Sequence, residues 1–206
     1  MNAKDLQPGD DAAEMWPALP FDAWRDTYDT LHLWTQVVGK VKLELTPFLN
    51  EWWEVPLQLS ARGLTTSTIP FTGGAFEVEF DFVDHNLEIR TSDGGKKAMT
   101  LMPRSVADFY AEFMAALREL GIEVTLNTLP QQVEHPIPFE QDHEHVAYDR
   151  VYVDRWWRIL TRVGIALERY RSGFVGKSSP VQFYLGDFDL SQSPFSGSPS
   201  QPPTRA

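Results

Sequence analysis

With 206 residues, of which 42% are hydrophobic and 13% aromatic, the chain can build one compact domain with a sizeable core and short tails. A net charge of −11 opposes binding to nucleic-acid phosphates or anionic lipid, and the absence of cysteine excludes disulfides and thiolate metal sites. No apolar run is long enough to span a bilayer and no basic-then-apolar leader is visible, so a cytoplasmic protein is expected.

Residues 1–15 are polar and acidic and are expected to form a flexible tail. Trp16-Pro17-Ala18-Leu19-Pro20 reads as an extended lead-in to a first helix. In the stretch Thr27–Lys40, Tyr28, Leu31, Trp34, Val37 and Val38 recur at helical spacing, continued by Val41, and face a core. Asp29, His32, Gln36 and Lys40 fall on a second line of the same helix, three or four residues apart, so their side chains are neighbours. That line is either a solvated face or the wall of a pocket. Gly39 beside it costs a helix about 1 kcal/mol against alanine, which points to close approach by something.

Antiparallel sheet follows. Val55–Ser60 reads as a short strand and ARGLTTST as a turn-prone stretch. Phe76, Val78, Phe80 and Phe82 alternate with Glu77, Glu79 and Asp81, giving a buried face and a solvated one. Turns at Asp84-His85-Asn86 and Asp93-Gly94-Gly95 lead into Leu87–Arg90 and Lys97–Leu101. Ser105 is an N-cap for a second helix with Asp108 in its first turn, and Gly121 ends it. Ile122–Leu126 reads as a further strand and Pro130–His145 as a long loop. A third helix, from about Asp149 to Arg171, buries Tyr152, Trp156, Ile159, Leu160, Val163, Leu167 and Tyr170, with Trp157 on its shoulder or exposed. Val181–Leu185 is a last strand, and 191–206 is a Ser/Pro-rich segment expected to be disordered. The fold class is α+β: one domain over 16–190, a mostly antiparallel sheet with about three helices packed on one face.

Several chemical patterns fail their tests. Gly176-Lys177-Ser178 lacks the glycine a phosphate loop needs five residues earlier, where Arg171 stands, and it follows a helix. His143 and His145 with Asp142 and Glu144 do not reach the three or four converging ligands of zinc. Asp187 and Asp189 would lie about 7 Å apart on a strand, but Gly186 marks the strand's end. No hydrolase signature appears. No metal and no cofactor is expected.

What remains is a constellation of cations and hydrogen-bonding groups among aromatics. Trp52-Trp53 lies between Glu51 and Glu54, a pairing that suits sugars or cationic rings but also anchors loops to cores. His32, Gln36, Lys40, Trp53, Arg62, Arg104 and Lys177 are the candidate ligand-binding residues. They imply a small polar or anionic metabolite held where the first helix, the loop after Val55–Ser60 and the last strand converge. The competing reading is a protein–protein or homodimer module. It uses the third helix, where seven cations from Arg150 to Lys177 face only Asp154 and Glu168, while residues 1–54 carry ten acids against four cations.

The strings WPALP, TLHLWTQVVGK, WWEVPL, ARGLTTSTIP, RTSDGG, RSVADFYAEFMAALRELGI, GKSSPVQFY and FDL…FSG resemble an uncharacterised bacterial domain family of unknown function, over roughly residues 16–197. The resemblance implies a bacterial cytoplasmic protein and brings no catalytic residue with it. It also implies histidine at the position of Gln182 and a further segment after FSG, so a C-terminally truncated member is expected.

Overall fold

The computed structural model describes residues 16–197; the tails expected at 1–15 and 198–206 lie outside the described residues. Helix α1 (Phe21–Leu45) opens the fold and runs through its centre. From Thr30 to Lys42 every residue is buried, including Thr30, His32, Thr35, Gln36, Lys40 and Lys42. A helix covered on all sides belongs inside a domain. The polar line is therefore not a wet face.

The sheet consists of β1 (Gln58–Leu59), β2 (Gly63–Thr65), β3 (Ile69–Phe71), β4 (Gly74–Asp81), β5 (Asn86–Thr91) and β6 (Lys96–Thr100), all antiparallel. Strand β4 is the spine. On one side it pairs with β2 through Leu64–Phe80 and with β3 through Ile69–Phe76; on the other it pairs with β5 along its length. Thus β2 and β3 share one edge of β4, separated by Thr66-Ser67-Thr68, where Ser67 takes φ +56°. The stretch read as turn-prone already contains β2, and β3 follows it directly.

Period-two patterning explains the sheet's orientation. Phe76, Val78, Phe80, Leu87 and Ile89 are buried beneath the helices. On the solvent side Glu79 stands opposite Glu88, a like-charge pair that destabilises unless neutralised. Arg90 does this: its guanidinium donates to Glu79 at 2.9 Å and Glu77 at 3.2 Å and also pairs with Glu88, while Lys96 reaches Glu88 at 3.2 Å.

Helix α2 (Val106–Glu119) starts as expected: the Ser105 side chain accepts from the Asp108 N–H at 3.0 Å, and Gly121 takes φ +74° past the end. The strand expected at Ile122–Leu126 does not form. The Ile122 N–H turns back to Leu117 O at 2.9 Å, and the segment packs Val124 and Leu126 on the core without joining a ladder. Alternating burial was legible; a hydrogen-bonded neighbour was not.

Helix α3 (Arg150–Ser172) is capped by Asp149, whose carboxylate accepts from Val151 and Tyr152 N–H groups. Trp156 and Trp157 are both buried, with Phe82 at 5.4 and 5.8 Å from their rings, so the shoulder position expected for Trp157 is corrected. Phe82, in the turn just past β4, contacts both adjacent rings and so covers two directions of the helix. A separate hairpin, β7 (Gln182–Tyr184) and β8 (Asp189–Ser191), follows α3 and is tied to the main sheet by the Leu57–Phe183 bridge. Beyond β8 the chain stays fastened to the segment after α3: Pro194 bridges Ser178 and the Phe195 N–H donates to Lys177 O. No helix among the described residues is long and apolar enough to cross a membrane.

Candidate functional site

The polar line of α1 is spent on the protein's own loops. Gln36 clasps the backbone of Gln131 from both sides, donating from Nε2 to its carbonyl and accepting its N–H at Oε1, each at 2.9 Å. His32 Nε2 lies 2.9 Å from Gly186 O and from Gln36 Nε2. Donation from the imidazole to Gly186 O and from the Gln36 amide to Gln131 O gives each carbonyl a donor. Burial lowers the His32 pKa, against the carbonyls of Gly186 and Leu185 and the charges of Asp29 and Asp187. Gly39 fits the same purpose: a Cβ there would fall 1.9 Å from Leu185 Cδ2, so the close approach read from the sequence is made by that loop. Replacing Gln36 by leucine leaves both backbone groups of Gln131 unpaired. We expect a loss of about 2 kcal/mol in urea unfolding and faster amide exchange confined to residues 130–132.

Neither Lys40, farther along the same line, nor the other candidates share the partners of His32 and Gln36. Lys40 is buried with its ammonium 5.9 Å from the Phe139 ring centroid, and burial lowers its pKa. Arg62 is fixed between Asp81 and Asp84 at 2.6 Å each, Arg104 pairs with Glu112, and Lys177 is exposed. The loop histidines are also local: Asp142 accepts the N–H groups of Glu144 and His145 at 3.1 Å and holds His145 Nδ1 at 2.7 Å. Among the described residues no group of three or more His, Cys, Asp or Glu side chains is arranged to hold a metal ion. On α3, Arg158 pairs with Asp154 and Arg171 with Glu168, while Arg155 donates to Ala18 O.

Trp53 is the exception, and it leads to a different site. It lines a cleft of about 350 Å3 together with Lys42, Thr46, Glu54, Ser67 and Thr68. The local sequence explains each position. Pro47 stops α1, so Thr46 turns extended and satisfies Lys42 O twice, through its N–H at 2.9 Å and its hydroxyl at 2.6 Å. The chain then doubles back through a 3-10 turn (Asn50–Trp52), bringing Pro56 O to 2.6 Å from Lys42 Nζ. Glu54 is carried in on the same return and accepts the Leu49 N–H at 3.1 Å on Oε2. Across the cleft, the Thr66 hydroxyl accepts from Val78 N–H and donates to Ser67 O, while the Ser67 N–H donates to the Thr65 hydroxyl. These bonds hold Ser67 in the left-handed region, a conformation that concentrates at ligand sites.

Lys42 and Glu54 are each only 6% exposed, yet they do not close into an ion pair within 4 Å. Burial pushes the Lys42 amine down to about 8, with Glu54 pulling the other way. Two opposite charges thus face one cavity, each with hydrogen-bonding capacity left over.

The profile of DUF5996, a family of unknown function, matches residues 16–206. The chain belongs to this family. No curated protein and no solved structure matches it significantly. Membership in DUF5996 bounds the domain and assigns no chemistry, so the cleft must be read from its own residues.

Sequence reasoning missed Lys42, and the signal was there. Four residues after Val38 and next to Val41, Lys42 places a charge on the apolar line of α1, followed twelve residues later by the carboxylate of WWEVPL. A lysine on a core line is costly unless its environment is built for it.

Proposed function

We propose that the cleft at the end of α1 binds a small polar or anionic metabolite. Its acceptor group meets Lys42 Nζ, a hydroxyl or amine of the ligand donates to Glu54, and Trp53 flanks its carbon skeleton. The single observation that supports this is the pair of nearly buried, opposite charges lining one cavity without touching. A structural ion pair of that depth would close, because uncompensated burial costs several kcal/mol per ion. A cavity of this volume suits a molecule of small-metabolite size. The absence of cysteine accords with a bacterial cytoplasmic setting, the one the family resemblance suggests.

Titration of the protein with hydroxy acids and polyols, followed by the indole N–H signal of Trp53 in NMR, tests the reading. A saturable shift that disappears in Lys42→Met and Glu54→Gln supports it. If no compound in the panel moves Trp53, while both variants retain the wild-type spectrum elsewhere, the cleft is not a binding site.

A second reading, homodimerisation through α3, is favoured by exposed Ile165, Tyr170 (68% exposed) and Val175 along and just beyond that helix. Light scattering across protein concentration separates the two, since metabolite binding needs no partner copy.

A further inference from the structure

Resting on the cleft as a binding site, we propose that Lys42 captures carbonyl compounds there, its amine condensing with an aldehyde or ketone that carries a neighbouring hydroxyl.

Geometry distinguishes Lys42 from the chain's other described lysines. Lys96 and Lys97 are ion-paired on the surface with Glu88 and Glu119, and Lys177 is exposed. Lys40 is as buried as Lys42 but lies beside Phe139, away from the cleft-lining residues. Lys42 alone among them combines burial, a cavity and a carboxylate lining that same cavity. Its nitrogen is held at one point by Pro56 O at 2.6 Å, and that carbonyl is its only hydrogen-bond acceptor among the described residues. An ammonium asks for three acceptors, whereas a neutral amine is satisfied by fewer and keeps a lone pair to offer. Burial acts in the same direction, holding the amine near pKa 8, so about a tenth of it is neutral at pH 7. Desolvation of a lysine in this way is a recognised route to an amine nucleophile.

The step balances without an oxidant or reductant. The Lys42 lone pair forms a bond to the carbonyl carbon, whose oxygen takes up a proton while the nitrogen loses one, giving a carbinolamine. Glu54, on the same cavity wall, shuttles that proton and then protonates the hydroxyl, which leaves as water as the second nitrogen proton departs and the C=N bond forms. Oε2 of Glu54 already accepts the Leu49 N–H, which leaves Oε1 for the proton and for the ligand's adjacent hydroxyl. The hydroxyl-bearing class follows from this: a bare aldehyde has nothing to give Glu54, whereas a hydroxyketone does.

The full chain is incubated with dihydroxyacetone and sodium cyanoborohydride across pH 6 to about 10.5, then digested, and every lysine peptide is quantified by mass spectrometry. Lys42 is expected to carry the reduced adduct at least about tenfold above Lys96, Lys97 and Lys177 at pH 7. Its rate should climb with pH and level off above about 8. Glu54→Gln should slow labelling of Lys42 without slowing the three surface lysines. Labelling of Lys42 no faster than those lysines overturns the proposal, as does a rate still rising beyond pH 9. Glycerol, which has no carbonyl, is titrated in parallel against the Trp53 signal. Glycerol binding without a Lys42 adduct removes the condensation and leaves the binding reading standing; neither signal removes both.

Discussion

Lys42→Met is expected to make the protein more stable at pH 7, by about 2 kcal/mol, while abolishing ligand binding. The folded amine titrates near 8 against about 10.5 for the ordinary side chain. Between those values the unfolded chain binds a proton that the folded chain does not, so wild-type stability rises with pH across the window. Below pH 8 both states are protonated and the full penalty is present, roughly 3 kcal/mol for a shift of this size. Methionine removes that penalty and forfeits the bond to Pro56 O, worth about 1 kcal/mol. Urea unfolding at pH 7 and pH 10 measures both ends: the variant's advantage should shrink toward zero at the higher pH. A variant less stable than wild type at pH 7 would show that Lys42 is a structural cation. Stability given up at a cleft is the usual mark of a residue kept for binding or chemistry.

Trp34→Ala is expected to cost about 3–5 kcal/mol, the largest effect of any single truncation proposed for this chain. The indole is fully buried and stacked between Phe109 at 4.7 Å and Tyr148 at 5.5 Å, joining α1 to α2 and to the segment before α3. Its Nε1 has no hydrogen-bond partner among the described residues, so a buried donor is already unsatisfied. Trp34→Phe keeps most of the stacking and deletes that donor, and should cost no more than about 1 kcal/mol. Trp52→Ala, at a ring 56% exposed, should be nearly neutral. Denaturant midpoints for the three variants test the ranking. Equal losses at Trp34 and Trp52 would show that the stack does not organise the core.

The α+β architecture was readable because its signals are local. Phe76, Val78 and Phe80 alternate, Ser105 and Asp108 cap α2, and Gly121 stops it; each acts within a few residues of itself. The extra strands β3 and β8 are three residues each, and their existence depends on partners in space. The seven candidate site residues show the same division. His32, Gln36 and Lys40 were rightly seen as neighbours on one helix, but helical spacing says nothing about what stands opposite. What stands opposite is the backbone of Gln131 and Gly186 for the first two and a phenylalanine ring for the third. Arg62 and Arg104 looked like free cations because the carboxylates that hold them, Asp81, Asp84 and Glu112, lie eight to twenty-two residues away. Trp53 was chosen for its carboxylate neighbours, and Glu54 does accompany it into the cleft. Lys42 carries a weaker signal, because a lysine next to valines near a helix end ordinarily reaches solvent.

The clasp of α1 on the C-terminal hairpin sets a schedule for synthesis. His32 and its partner Gly186 are 154 residues apart, and at ~5–20 residues per second that interval takes roughly 8 to 30 s on the ribosome. Throughout it the flank of α1 that ends against Phe188, with Tyr28 4.9 Å from that ring, lacks its cover. The nascent chain thus carries an incompletely covered aromatic surface from the emergence of α1 until that of the β7–β8 hairpin. It is the unfinished protein that most needs a chaperone, and a ribosome stalled before Phe188 would release a sticky intermediate.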